Sequence, residues 1–218
     1  MGQIDTIYKA VLEGNTREVQ VGVEAALKEK ITADQIMQNG LIAAMKEVGR
    51  LFEAGEFFVP EMLISARAMQ SALVLLKPFL AASGAKAAGR VAIGTVQGDL
   101  HDIGKNLVGM MLEGAGFEII DLGTDVRPEN FVDAVEAKHA DIIALSALLT
   151  TTMPKMQETI EALKAASLRD KVKVIIGGAP VTETYAQQIG ADGYGPDASA
   201  ASRLAAKLMK AGHAPEAA

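Results

Sequence analysis

The sequence contains neither cysteine nor tryptophan, and only 4% of its 218 residues are aromatic. The absence of cysteine excludes disulfides and thiolate-ligated metal sites, and it is typical of a reducing compartment, so we expect a cytoplasmic protein. Histidine is also scarce, with three residues in the chain. One of them lies between two aspartates in a glycine-bounded segment, VQGDLHDIGKN, and that placement calls for an explanation.

Long apolar runs and basic clusters are missing as well. No stretch of about 18 consecutive apolar residues is present, so no membrane span is predicted. The N-terminal segment MGQIDTIYKAVLEGN lacks the basic-then-apolar order of a signal peptide. The formal net charge is −6, which argues against a nucleic-acid partner, because phosphate binding needs clustered lysine and arginine.

Apolar residues, by contrast, are plentiful: they make up 50% of the chain, enough for one large domain or two small ones. Residues 1–82 show apolar positions at helical spacing throughout, which predicts about four helices. One apolar seam follows the last of these segments, at Met62, Ala66, Met69, Leu73 and Leu76. We therefore expect residues 1–82 to form an antiparallel four-helix bundle.

The pattern changes near residue 90. Segment 83–90 is small, polar and glycine-containing, and we interpret it as a linker. In residues 91–212, short β-branched runs alternate with helical stretches, which predicts a parallel five-stranded sheet covered by helices on both faces. The expected fold class is α/β, a helical bundle followed by a Rossmann-like domain of flavodoxin-like strand order, with a frayed tail at 213–218.

Ligands of open parallel sheets bind beyond the carboxyl ends of the strands, where the strand order reverses. Three turns stand out there: GDLHDIG after the first strand, SALLTTT after the third and GGAP after the fourth. In the strand order 2-1-3-4-5 the first and third strands are neighbours. We therefore expect His101 to face a loop rich in serine and threonine across a crevice.

The first of these turns has the chemistry of a metal-binding histidine, not of a phosphate loop. The P-loop pattern fails, because five residues separate the glycines and Asn106 follows the lysine. A metal-bound imidazole usually donates its second ring N–H to a carboxylate, and Asp99 is two residues from His101. No second histidine or cysteine is near in the sequence, so a single axial ligand to a metal held in a macrocycle is the better interpretation.

Each feature taken alone also has an ordinary structural explanation. His101 is consistent with a solvated turn residue beside Asp102, which favours a helix N-terminus. The hydroxyl side chains of the second turn can cap the next helix, and we expect one of them to do so. The other histidines are expected to be exposed, and two further aspartates to be turn or cap residues: His139, His213, Asp121 and Asp125.

Taken together, the three turns match a family signature of Asp-x-His-x-x-Gly, then Ser-x-Leu, then Gly-Gly. The chain has these at 99–104, 146–148 and 177–178. It resembles the corrinoid, cobalamin-binding proteins of methyltransferase systems and is similar to the cobalamin-binding module of cobalamin-dependent methionine synthase. The helical half resembles the cap domain of that family through GRLFEAGEFFVPEMLISARAM, residues 49–69.

The resemblance implies cobalamin with its dimethylbenzimidazole base displaced from cobalt and with His101 as the lower axial ligand. It implies that Asp99 hydrogen-bonds His101 and that Thr152, where the family has a serine, completes a proton relay. Further cofactor contacts are implied for the turn residues Gly98, Asp102, Ile103, Gly104, Ser146, Leu148 and Thr150.

The nucleotide tail of the cofactor is expected to pass Gly177 and Gly178, which lack side chains that would collide with it. In the helical cap the resemblance implies that apolar side chains cover the methyl-bearing face, and it assigns this role to Phe52, Val59 and Met62. Apolar cover excludes water from a reactive metal centre.

By the same resemblance the chain is a methyl carrier and a non-catalytic corrinoid subunit. Co(I) accepts a methyl group from a substrate-specific methyltransferase, and methyl-Co(III) delivers it to a second methyltransferase whose acceptor is tetrahydrofolate or a thiol. A reductive activase is the expected third partner, and no membrane or nucleic acid is expected. The alternative, a cobalamin-binding sensor that regulates transcription, is disfavoured by the acidic composition.

Overall fold

The computed structural model describes residues 2–83 and 87–212. The chain divides into two compact units, Met1–Lys86 and Ala87–Ala218. The predicted tail with His213 and the middle of the predicted linker lie outside the described residues. Of the predicted linker, Ser83 still belongs to a helix and Arg90 already belongs to a strand.

The first unit is helical, as the apolar spacing predicted. Its elements are α1 (Gln3–Leu12), α2 (Thr16–Lys28), α3 (Ala33–Gln35), a π-helical segment (Ile36–Ile42), α4 (Ala43–Glu53) and α5 (Val59–Ser83). The π-helical segment joins α3 to α4 without a break, so the described part of this unit contains four helical rods. The π-helical turns were not predicted from the sequence.

Two glycines let the helices of this unit approach closely around Ile7, which is completely buried. A Cβ at Gly22 would lie 2.9 Å from Cγ1 of Ile7, and one at Gly40 would lie 3.2 Å from its Cγ2. Because Gly40 belongs to the π-helical segment, we attribute this segment to close packing against α1.

Helix α5 is apolar over most of its length. Among the described residues it is the one helix that is long and apolar enough to cross a membrane, and 33% of its most apolar stretch is buried. A helix in the core of a bundle has the same length and composition. Its buried side includes Ser65, whose hydroxyl donates to the carbonyl of Leu12 at 3.3 Å.

The second unit alternates strands with helices. Its elements are β1 (Arg90–Thr95), α6 (Ile103–Gly114), β2 (Glu118–Asp121), α7 (Pro128–Glu136), β3 (Ile142–Ser146), α8 (Pro154–Ala165), a 3-10 turn (Arg169–Lys171), β4 (Lys173–Gly177), α9 (Glu183–Ile189), β5 (Gly193–Gly195) and α10 (Ala198–Gly212). The five strands are parallel in the order β2-β1-β3-β4-β5, which confirms the predicted fold class.

The strand order reverses between β1 and β3. There the register places Thr95, Ser146 and Gly177 in one row across three adjacent strands. The strand interiors are apolar, and a buried cluster covers each face of the sheet. The turns that follow these three residues therefore meet at one edge of the sheet, where open parallel sheets bind their ligands.

Candidate cofactor-binding site

Asp99 lies at the centre of the converging turns and is completely buried. Its Oδ1 accepts from the backbone N–H of His101 at 3.1 Å and lies 2.7 Å from Nδ1 of the same residue. Its Oδ2 accepts from the backbone N–H groups of Leu148 and Leu149, at 2.8 and 3.2 Å. The Thr152 hydroxyl lies 2.7 Å from Oδ2, so the carboxylate joins the first motif turn to the second.

These contacts determine the charge of Asp99. Burial on its own raises the pKa of the carboxyl, but hydrogen bonds from His101, from the Leu148 backbone and from Thr152 outweigh it and hold that pKa well below its usual range. An ionised carboxylate only accepts hydrogen bonds, so Nδ1 of His101 carries the proton and donates. In the neutral ring, the other nitrogen, Nε2, then carries the lone pair that a metal would bind.

The His101 side chain is 51% exposed, and four exposed apolar side chains lie on its own turn and on the turn that binds Asp99. Leu100 and Ile103 are 73% and 76% exposed. On the second motif turn, Leu148 and Leu149 are 41% and 42% exposed. Exposed apolar groups clustered on two adjoining turns mark a ligand surface. Such a surface fits the flat, largely apolar face of a macrocycle with a nitrogen ligand at its centre.

Two residues that the sequence analysis did not select hold this turn in place. The buried Thr95 hydroxyl donates to the carbonyl oxygen of His101 at 2.7 Å. Asp125 Oδ1 accepts from the Gly98 N–H at 2.7 Å, and the Asp125 N–H donates to the Asp99 carbonyl at 3.0 Å. Asp125 was expected to be an ordinary turn residue, but it has a left-handed φ of 55° and supports the histidine turn.

A second pair was missed, at the start of α6. Lys105 is buried, and its Nζ lies 2.7 Å from both carboxylate oxygens of Asp121 and 2.7 Å from Oδ1 of Asn106. Burial raises the pKa of Asp121, but the hydrogen bond from Lys105 outweighs this and lowers it. The pair ties α6 to the end of β2, sixteen residues away in the chain, and no sequence pattern indicates it.

The hydroxyl-rich turn does not cap the next helix, so that expectation is wrong. Helix α8 begins at Pro154 after Met153, without a side-chain cap. The Thr152 hydroxyl instead lies between Oδ2 of Asp99 and the carbonyl of Leu149, at 2.7 and 2.9 Å. Ser146 is half-buried at the end of β3, and Thr150 is exposed.

The Gly-Gly turn is needed by the fold itself. Gly178 has a φ of 130°, and a Cβ there would overlap the carbonyl oxygen of Ala147. A Cβ at Gly177 would lie 2.8 Å from the carbonyl oxygen of Gly195. Close approach of neighbouring strand ends therefore accounts for both glycines, and room for a nucleotide tail remains a prediction.

Gly104 and Gly98 differ from this pair. A Cβ at Gly104 would meet nothing within 4 Å, so the fold itself leaves this position open. Gly98 has a φ of 82°, and a Cβ there would lie 3.7 Å from Cγ2 of Thr152. Asp102 is exposed at the start of α6, and its carboxylate accepts from the Asn106 side-chain amide at 3.3 Å.

Of the predicted cap residues, Phe52 lies at the end of α4, and Val59 and Met62 lie in the first turn of α5. Met62 is buried, Phe52 is half-buried and Val59 is 37% exposed. The exposed His139 has a left-handed φ of 54°, as suits a turn residue without a role in the site.

The donor set indicates what kind of metal the site can hold. Within residues 2–83 and 87–212, no three histidine, cysteine, aspartate or glutamate side chains group so as to hold a metal ion. One exposed imidazole, oriented by a buried carboxylate, would supply a single ligand to a metal whose other positions are filled by a macrocycle. The residues present therefore fit a corrinoid.

Comparison with known proteins agrees with this geometry. Two family models, each described as a B12 binding domain, match residues 89–203 and 3–77. A corrinoid protein of Desulfitobacterium hafniense (strain Y51) is 41% identical over 96% of this chain and 98% of its own. Dimethylamine corrinoid protein 1 of Methanosarcina acetivorans is 44% identical over 92% of this chain and 94% of its own.

Among solved structures, a chain of the methanol:cobalamin methyltransferase complex MtaBC from Methanosarcina barkeri matches with a TM-score of 0.85. It is 31% identical, and the match covers 95% of this chain and 80% of that one. A cobalamin-binding protein from Desulfitobacterium hafniense DCB-2 matches with a TM-score of 0.79 and 32% identity, over 94% and 97% of the two chains. The chain belongs to the B12-binding corrinoid proteins of methyltransferase systems.

Proposed function

We propose that this chain binds cobalamin with His101 as the lower axial ligand and carries a methyl group between two methyltransferases. When bound, the corrinoid supplies a cobalt centre that accepts the methyl group and releases it again. The observation that carries the proposal is the exposed imidazole, held at 2.7 Å by a buried carboxylate at the point where the strand order reverses.

The first contribution of the chain is to orient the ligand. Because Asp99 is ionised, the proton stays on Nδ1 of His101 and Nε2 remains available to a metal. Five donor groups hold the carboxylate, so it cannot move without breaking hydrogen bonds to both motif turns, and the ring nitrogen meets an acceptor of fixed position. An oriented, basic imidazole is what displacement of the cofactor's own benzimidazole requires.

The second contribution is to hold a proton near the ligand. The Thr152 hydroxyl lies within hydrogen-bond distance of Oδ2 of Asp99 and of the carbonyl of Leu149, and its single proton can donate to either. We propose that His101, Asp99 and Thr152 form a proton relay that adjusts how strongly the imidazole binds the metal. The added methyl group of threonine does not prevent this contact.

The third contribution is to accommodate the cofactor. Leu100, Ile103, Leu148 and Leu149 present apolar surface to the macrocycle, and the open space at Gly104 adjoins it. We propose that Ser146, Gly177 and Gly178 line the path of the nucleotide tail, with Gly98, Asp102 and Thr150 at its entrance. Phe52, Val59 and Met62 are proposed to contact the cofactor from the helical unit, as the family resemblance implies.

The methyl donor is proposed to be a methylated amine. Relatives named for dimethylamine and trimethylamine are 41–44% identical to this chain over 81–95% of its length. On this proposal one methyltransferase transfers the methyl group from the donor to the corrinoid, and a second transfers it to the acceptor. A reductive activase returns Co(II) to Co(I). We propose a cytoplasmic location for the chain and these partners.

The cofactor assignment is tested by incubating the purified chain with hydroxocobalamin and recording its ultraviolet–visible spectrum. We expect stoichiometric binding and a Co(II) electron paramagnetic resonance spectrum whose nitrogen splitting changes from a triplet to a doublet when the protein's histidines are labelled with nitrogen-15, a change that is absent in His101→Ala. His139→Asn is the matched control, because it removes another exposed histidine and asparagine tolerates the left-handed φ there. A chain that binds no corrinoid, or whose nitrogen splitting does not respond to the histidine label, would refute the proposal.

The donor assignment is tested separately. Loaded and reduced protein is combined with candidate methyltransferases and with a panel of methylamines, betaine, methanol and methoxylated aromatics. We expect methylation of the cobalt with di- or trimethylamine and its cognate enzyme. Methylation with methanol alone would overturn the choice of donor and leave the cofactor assignment intact.

A further inference from the structure

Thr95 is a polar residue in a position where an apolar one would be expected. It ends β1, whose residues Val91 to Thr95 are all buried, and its own side chain is fully buried. A buried hydroxyl destabilises a protein unless it forms a hydrogen bond. The Thr95 hydroxyl donates its hydrogen bond to the carbonyl oxygen of His101, 2.7 Å away.

This contact differs in kind from the contacts of Asp99. The N–H and Nδ1 of His101 both bind the same oxygen of Asp99, so they set the ring relative to that carboxylate. The Thr95 hydroxyl instead ties the backbone of His101 to the last residue of a central strand. It closes the loop 95–101, and because β1 is rigid, it fixes the position of the His101 backbone relative to the sheet.

The other hydrogen bonds of the loop do not tie the His101 backbone to a strand. Asp99 N–H donates to the carbonyl of Val96 at 3.1 Å, and Gly98 N–H donates to Asp125, so both contacts act before His101 in the chain. The next regular element, α6, begins at Ile103. Between Asp99 and α6, the His101 backbone makes two such contacts: its N–H donates to Asp99 Oδ1, and its carbonyl accepts from Thr95, which is the contact that ties the histidine to a strand.

We infer that Thr95 is a positioning residue for the axial histidine, and that its hydroxyl sets the distance at which Nε2 of His101 meets a metal. The inference rests on the proposed function, because it presumes that His101 is the ligand. It assigns Thr95 no contact with the cofactor. A displaced His101 backbone would lengthen and weaken the metal–nitrogen bond while the Asp99 contacts remain.

The test compares Thr95→Val with Thr95→Ser in full-length protein loaded with cobalamin. Valine keeps the volume of threonine but cannot donate, and serine keeps the hydroxyl but loses a methyl group. In Thr95→Val we expect the ratio of histidine-bound to histidine-free cobalt to fall about two- to tenfold, the effect of one lost hydrogen bond. The pH midpoint at which acid releases the histidine then rises by about 0.3 to 1 unit, and Thr95→Ser stays at the wild-type midpoint.

Thermal unfolding of the unloaded proteins separates positioning from stability. Serine leaves a small cavity, so Thr95→Ser is expected to melt below wild type even though its ligation is normal. If Thr95→Val does not fold, Thr95→Ala replaces it, since Ala and Ser share the lost methyl and differ in the hydroxyl. If both variants without the hydroxyl fail to fold while Thr95→Ser folds, the hydroxyl serves stability and the inference is wrong.

The remaining outcomes are equally decisive. A wild-type midpoint and nitrogen splitting in Thr95→Val would overturn the inference and leave the proposed function standing. A wild-type protein that shows no nitrogen splitting would instead refute the proposed function, whatever the variants do. A shifted midpoint in both Thr95→Val and Thr95→Ser would show that packing, not the hydroxyl, controls the ligand.

Discussion

The two units of the chain bury polar side chains very differently. Among the described residues, Ser65 is the buried polar side chain of the helical unit, whereas seven occur in the α/β unit. Four of those seven lie at the histidine turn or beside it: Thr95, Asp99, Lys105 and Thr152. The helical unit is therefore stabilised mainly by apolar packing, and the histidine turn depends on hydrogen-bond geometry at the ends of the strands.

In the α/β unit we expect the largest loss of stability from Gly178→Ala. The added Cβ overlaps the Ala147 carbonyl oxygen, and a φ of 130° is strained for alanine, so the two strand ends must separate. We expect the free energy of unfolding to fall by about 4 kcal/mol or more, measured by urea denaturation.

Gly104→Ala is the contrasting variant of this experiment. Space for the Cβ is open and the position is helical, so we expect a gain of about 0.5 kcal/mol in stability. Cobalamin affinity should nevertheless fall, because the methyl group occupies surface proposed for the cofactor. Equal effects of the two alanines on stability would contradict the close approach described for Gly178.

In the helical unit the corresponding destabilising substitution is Met69→Ala. Met69 is fully buried in α5, and removing its side chain leaves a cavity, so we expect a loss of about 3 kcal/mol in unfolding free energy. The ligation spectrum of the folded, loaded protein should not change, since no polar contact of the histidine turn involves this residue.

Val74→Ala, on the same helix but 73% exposed, serves as the control and should change stability by less than about 0.5 kcal/mol. If Met69→Ala altered the nitrogen splitting of the loaded protein, the division between packing and ligand geometry would not hold.

Asp99→Asn removes the charge of the buried carboxylate and keeps the size of the side chain. The amide cannot accept on its nitrogen, so some of the five donors lose their partner, and we expect about 2 kcal/mol less stability at pH 7. Because the folded pKa of Asp99 lies below its unfolded value of about 4, the carboxylate stabilises the fold above that value.

That stabilisation is lost as the pH falls toward the folded pKa. The difference between wild type and Asp99→Asn, measured by urea unfolding at several pH values, should therefore be constant near neutrality and shrink below about pH 4. A difference that persisted unchanged in acid would mean that Asn disrupts packing instead of charge.

Much of this arrangement could be predicted from the sequence, because it follows from local patterns. The change from helical to alternating spacing near residue 90 separates the two units, and β-branched runs indicate the strands. Since parallel strands end at the same edge of a sheet, the turns bearing His101, Ser146 and Gly177 had to lie near one another. The pairing of Asp99 with His101 followed from a separation of two residues.

The supporting contacts could not be predicted, since each depends on residues distant in the chain or on a backbone angle. Threonine is a common strand residue, so nothing in the sequence marked Thr95 as a hydrogen-bond donor to the histidine turn. The role of Asp125 depends on its left-handed φ and on Gly98, 27 residues away. The close approach of Gly40, in the π-helical segment, to Ile7 joins residues 33 positions apart in the chain.

The smallest expected effect is that of Tyr185→Phe, which tests whether a hydrogen bond that stabilises a neighbouring loop also affects ligation by His101. Tyr185 on α9 donates from its hydroxyl to the carbonyl of Met153 at 2.7 Å, and burial raises the pKa of that phenol, so it remains a donor at neutral pH. Tyr185→Phe should cost about 1 kcal/mol in unfolding free energy and leave the acid midpoint of histidine release unchanged.

The reason is that Tyr185 anchors the start of α8 beyond Thr152, whereas Thr95 anchors His101 itself. Tyr194→Phe is the control, because it removes the hydroxyl of another half-buried tyrosine, on β5 and away from the start of α8, and the midpoint should not change. A midpoint in Tyr185→Phe that moved as far as in Thr95→Val would show that any loosening of the strand-end turns weakens the ligand. Positioning would then be a collective property of these turns instead of belonging to one hydroxyl.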